Sequence, residues 1–116
     1  MIKIGPNELR SAKTFIKDFM CSDSQKFMNY DELLSIFENC SKSIRPEHDK
    51  PNDLRSLSYI DDMKSGKWNK DIILERTTYM GQRLITDGIH RGIAYLACID
   101  AGVDEKVLPD LYIKEK

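Results

Sequence analysis

His90 and Arg91 stand side by side in the run Arg83-Leu84-Ile85-Thr86-Asp87-Gly88-Ile89-His90-Arg91-Gly92-Ile93-Ala94. Arg83-Leu84-Ile85-Thr86 reads as a strand, Asp87-Gly88 breaks it, and an apolar helical pattern follows. The spacing predicts a strand that turns at Gly88 into a helix, with His90 and Arg91 in the first helical turn. The first N–H groups of a helix have no partner within it, and the helix dipole there favours anions. Arg91 can fork two hydrogen bonds onto a phosphate, and His90 can donate one or two more. A glycine at 88 lets a ligand approach the backbone closely. Together these residues make a phosphate cradle without a Walker sequence. The same residues admit a plainer reading: Asp87 as N-cap, Gly88 as a turn residue, and His90 and Arg91 as solvated side chains. Two cations at a helix N-terminus oppose the dipole by about 0.3–1 kcal/mol each. Such local conflicts gather at functional sites, and the pattern by itself leaves the two readings level.

The other polar residues carry weaker signals. Glu75 and Arg76 precede the turn and could face the same site, but strand alternation equally allows a solvent face. Asp61-Asp62 are neighbours on a helical pattern and point apart, so a solvated face is the simpler reading than Mg²⁺ binding. His48 lies in a charged loop, and Trp68 reads as a core or hinge plug rather than a base-stacking platform. Cys21, Cys40 and Cys98 lack metal spacing, and the only histidines are His48 and His90. Reduced thiols are expected, and zinc is not.

These residues must be held by elements that the chain's periodicity outlines. Met1 to Ile4 alternates weakly, as a short strand would. Pro6 suits a first helical turn, and Leu9, Ala12, Phe15, Ile16 and Phe19 predict an amphipathic helix over 6–20. Cys21 to Ser24 is a polar break. Asn29, with Glu32 three residues on, predicts the cap of a second helix reaching about residue 41. Pro46 and Pro51 mark a loop over 43–53, with Ile44 ending a short strand. Asn52 or Asp53 would then cap a third helix that Gly66 stops. Residues 71–77 and 83–86 read as a hairpin around Tyr79-Met80-Gly81-Gln82. A helix over 89–101 follows, closed by Gly102, and a last strand over 107–113 is expected at a sheet edge because of Pro109.

The 116 residues suit a single core rather than two ordinary domains. Hydrophobic residues make up 41% and charged residues 32%, which argues against wholesale disorder. With 18 basic and 19 acidic residues the formal charge is −1, so nothing advertises nucleic acid or an anionic membrane. No apolar run is long enough to span a bilayer, and the N-terminus has no signal-peptide pattern. A cytoplasmic protein with no membrane partner is expected.

Asp87-Gly88-Ile89-His90-Arg91-Gly92-Ile93-Ala94 resembles the signature of the ParB/sulfiredoxin superfamily: a strand ending in Asp-Gly or Gly-Gly, one variable residue, His-Arg or Arg-Arg, then Ala. Ile44-Arg45-Pro46 resembles the Ile-Arg-Pro that opens the sulfiredoxin core. Pro51 to Leu57 is similar to the start of its first core helix, and Met63-Lys64-Ser65-Gly66 to the end of that helix in ParB-like domains. The resemblance covers about residues 43–113. It implies an α+β fold, a small mixed sheet with packed helices, as a domain over 43–116 preceded by a helical extension over 1–42. It also implies a nucleotide site that takes ATP or another nucleoside triphosphate with Mg²⁺. Gly88, His90 and Arg91 would hold phosphates, Ser56 would match a helix serine that helps bind ATP, and Asp87 would orient water or metal. Two positions depart from sulfiredoxins: Asp53 stands where they carry a lysine, and Ile89 where they carry the nucleophilic cysteine. Sulfinic-acid reduction is therefore not expected. The implied activity is NTP hydrolysis, phosphoryl transfer or phosphodiester cleavage. The alternative is a non-catalytic module that acts on DNA or a DNA-bound protein, with the N-terminal helices as a protein-contact surface.

Overall fold

The computed structural model describes residues 1–15, 27–35 and 50–116. These form an α+β structure around one six-stranded mixed sheet. The elements in chain order are β1 (Ile2–Lys3), α1 (Pro6–Ser11), β2 (Lys13–Phe15), β3 (Phe27–Asn29), α2 (residues 30–35), α3 (Lys50–Lys64), β4 (Ile72–Tyr79), β5 (Gln82–Asp87), α4 (Ile89–Asp100) and β6 (Leu111–Glu115). The strand order is β1-β6-β4-β5-β2-β3. β4 runs parallel to β6 and antiparallel to β5, and β2 runs parallel to β5.

The β4–β5 hairpin is the most locally determined part. Tyr79 pairs with Gln82, so Met80-Gly81 is a two-residue loop. Both loop residues have positive φ, 49° and 75°, the geometry whose twist matches the strands it joins. Ile72 and Leu74 alternate onto the buried face of β4 and meet Ile89 and Ile93 of α4 in the core. α3 packs along α4, and the Cys98 thiol approaches the Ile60 carbonyl oxygen at 3.8 Å. Gly66, at φ 75°, ends α3 as expected.

The N-terminal part departs from the sequence expectation. The helix expected over 6–20 stops at Ser11; Ala12 turns extended (φ −69°, ψ 140°) and the chain enters β2. Leu9, Ala12 and Phe15 sit at a spacing that suits a longer helix, but β5 offers an edge, and pairing there satisfies the backbone. Thr14 pairs with Ile85, is fully buried, and donates its hydroxyl to the Ile85 carbonyl oxygen at 2.8 Å. The described residues before 36 are therefore not helical throughout: they supply β1, β2 and β3 to the common sheet. The cap at Asn29 is present, its Oδ1 accepting the Glu32 N–H at 2.9 Å, and α2 begins at residue 30.

Two further boundaries shift. α3 already runs at Lys50, so Asn52 and Asp53 lie inside it rather than capping it. The last strand begins at Leu111, beyond Pro109, and lies between β1 and β4 rather than at an edge. Pro109 needs no edge position because it precedes the ladder. The division at residue 42, the Ile44-Arg45-Pro46 motif, His48, Cys21 and Cys40 lie outside the described residues. Among the described residues, no helix is long and apolar enough to cross a membrane.

Candidate functional site

β5 ends at Asp87, and Gly88 caps α4 in the left-handed conformation, φ 84° and ψ 16°. No side chain caps this helix, and no acidic residue lies in its first turn. His90 and Arg91 fall in that turn, as the spacing predicts. The helix start opens on a cleft of about 400 Å³, within the range of small-molecule sites. Asp87, Gly88, His90 and Arg91 all line it. Ser56 does not: it is fully buried on α3, and its hydroxyl has no hydrogen-bond partner among the described residues. Of the residues expected at the site, the fold brings four together and places Ser56 in the helix packing.

The far wall of the cleft was not legible in the sequence. It comes from Tyr59 of α3 and from Trp68, Lys70 and Asp71 in the α3–β4 connection. Trp68 stands edge-on to Tyr59, with ring centroids 5.0 Å apart at 75°. Its indole N–H donates to the Lys70 carbonyl oxygen at 2.9 Å. Trp68 thus packs against the core, as expected, and also offers an aromatic surface to the cleft. No spacing links residue 70 to residue 91. Only the packing of α3 on α4 makes them neighbours.

Gly88 is needed for packing before it is needed for any ligand. A Cβ there would lie 2.7 Å from Leu74 Cδ2, 3.1 Å from Arg91 Nη2 and 3.3 Å from the Ile73 carbonyl oxygen. The Arg91 guanidinium folds back over the turn and pairs with Asp87 at 3.4 Å. Arg91 side-chain exposure is 30%, so the guanidinium is still reachable from solvent. The buried side of the same turn is tighter. A Cβ at Gly92 would lie 2.6 Å from the Tyr30 ring. Tyr30 is fully buried, its hydroxyl has no partner among the described residues, and burial pushes its phenol pKa well up, against a smaller opposing pull from Arg91.

Charges continue along the sheet end. Glu75 pairs across the ladder with Asp87 and forms an ion pair with Lys116 at 2.7 Å. The Lys116 ammonium holds the Glu75 carboxyl below its ordinary range, with smaller help from Lys114 and Arg91. Arg76 instead pairs with Glu115, so neither Glu75 nor Arg76 is a cleft wall. Asp61 and Asp62 are likewise absent from the cleft lining. Among the described residues, no group of three or more His, Cys, Asp and Glu could hold a metal ion.

The arrangement can do one kind of chemistry well. Lys70, His90 and Arg91 line the cleft at a helix start that no side chain caps, and Asp71 and Asp87 supply carboxylates beside them. Such a set can grip an anion and, through it, a cation. Compared with known proteins, the chain matches no family model, no curated protein and no solved structure.

Proposed function

We propose that the cleft at the start of α4 binds a nucleoside triphosphate by its phosphates, with the ParB/sulfiredoxin-like sequence signature as a further reason for that reading. The observation that carries it is the uncapped N-terminus of α4 opening on a cleft lined by Lys70, His90 and Arg91. Helix N–H groups and a forked guanidinium suit phosphate oxygens, and Trp68 and Tyr59 offer aromatic surface to a base. Mg²⁺ is commonly held by one or two carboxylates together with substrate phosphates, and Asp87 and Asp71 are the carboxylates in reach of the cleft. When bound, the ion would neutralise phosphate charge; Asp87 would orient it or a water. Phosphate binding requires Arg91 to exchange its Asp87 partner for the ligand, which frees that carboxylate.

The test is calorimetric titration with ATP and other nucleoside triphosphates, with and without Mg²⁺, on the parent and on Arg91→Ala. Loss of a charge-assisted contact weakens binding by about 1.5–3 kcal/mol, one to two decades in Kd. Equal affinity of the two proteins removes the reading. A turnover assay on the same sample decides between phosphoryl chemistry and a second reading, a binding module without catalysis that acts on DNA-linked partners. The absence of any group of three or more metal-ligating side chains among the described residues favours the second reading.

A further inference from the structure

A second cleft, of about 410 Å³, lies away from the α4 start, where β1, the later part of α4 and the entry to β6 meet. Tyr95 lines it while only 2% exposed, and its hydroxyl makes no hydrogen bond to a described residue. A phenol that is nearly all buried normally finds a partner for its O–H. Two carboxylates, Glu105 and Asp110, line the same cleft. Both are close enough to Tyr95 to add to the effect of burial and push its pKa up to about 12. Asp110 is partly engaged by Lys3 at 3.3 Å, and Glu105 makes no ion pair to a described residue. Ile4, Pro109 and Leu111 give the cleft an apolar side.

We propose that this cleft binds a primary ammonium group on a short aliphatic body. An ammonium carries three donors and no acceptor, and the cleft offers three side chains with oxygen acceptors: the Tyr95 phenol, Glu105 and Asp110. Lys3 and Lys106 line the cleft too; Lys3 is held by Asp110, which leaves Glu105 as the lining carboxylate with no ion pair to a described residue. The ammonium displaces Lys3 from Asp110 and donates to the phenol oxygen that Tyr95 presents to the cleft. The aliphatic body lies against Ile4 and Leu111. The same chemistry is presented by a free alkylamine and by a lysine side chain of a polypeptide. The site shares no lining residue with the cleft at the α4 start, so the two stand or fall separately.

The experiment is an amide chemical-shift titration of the whole chain with butylammonium chloride, with sodium butyrate as the control at equal ionic strength. A capped Ala-Lys-Ala peptide forms a parallel arm. Butylammonium or the peptide should shift the amides of Tyr95, Glu105 and Leu111 saturably, and the tighter of the two identifies the source. Tyr95→Phe and Glu105→Gln should each weaken binding about tenfold or more, whereas Arg91→Ala should not change it. Glu105 is exposed, so Glu105→Gln decides the matter if Tyr95→Phe disturbs the fold. Shifts that do not saturate, equal shifts with butyrate, or unchanged affinity in Glu105→Gln would overturn the proposal.

Discussion

Consecutive turns of α4 are built to opposite ends. The first, from Gly88 to Arg91, opens on a cleft and carries two polar side chains. The next, from Gly92 to Tyr95, is buried at every position. Each begins with a glycine, and in each a Cβ would collide, but with different neighbours: Leu74 and Arg91 at position 88, the Tyr30 ring at 92. Gly88 sets a backbone conformation that other residues resist; Gly92 makes room for a large ring. The contrast shows how a helix can offer charges at its mouth: the turn behind is locked by packing, so His90 and Arg91 need not stabilise the fold.

The largest expected effect breaks the closed turn. Tyr30→Ala empties a fully buried site against Gly92 and should cost about 3–5 kcal/mol in denaturant unfolding, as large aromatic truncations do. A loss below about 1 kcal/mol would mean that Tyr30 does not lock the helix.

Next come the glycines. Gly88→Ala places an L side chain at φ 84°, which costs about 1–2 kcal/mol, and pushes on Leu74 and Arg91. It should therefore lower both stability and nucleotide affinity. Gly92→Ala gains about 1 kcal/mol of helix propensity but overpacks Tyr30 at a cost of about 1–3 kcal/mol. Its net loss should be smaller and should shrink further in combination with Tyr30→Leu, a coupling that a double-mutant cycle measures. Strict additivity would show that the ring and Gly92 do not meet.

Alkaline pH probes the closed turn through its other tyrosine. Tyr95 is harder to ionise in the fold than in the unfolded chain, so the native state holds its proton longer. Its contribution is full below about pH 10 and is lost as pH rises towards about 12. Tyr95→Phe should flatten the fall in melting temperature across that window. A curve unchanged by the substitution would place the phenol in ordinary solvent.

The smallest expected effect concerns the open turn. Arg91→Ala removes a partly exposed pair with Asp87 and should change stability by less than about 0.5 kcal/mol. A large drop in thermal unfolding would erase the contrast between the two turns, because Arg91 would then be a structural residue.

The residues that carry local signals were legible in the chain. Met80-Gly81 between alternating runs specifies its hairpin, Gly88 specifies the turn into α4, and the apolar spacing of Ile89, Ile93 and Leu96 specifies which side of that helix is buried. Each depends on φ preferences or on side-chain period over a few residues. Asp87, Gly88, His90 and Arg91 could be placed together from sequence because one turn holds them. Tertiary structure decided what depended on distant partners. Residues 13–15 became a strand because β5 had an edge to pair with, although their spacing also suits a helix. β6 became interior because β1 covered its other side. Lys70 and Trp68 reached the cleft because α3 packs on α4, and Gly92 was required because Tyr30 comes from a different helix. Local preferences are written in adjacent residues, whereas pairing and packing join residues tens of positions apart, and no spacing within either segment records the other.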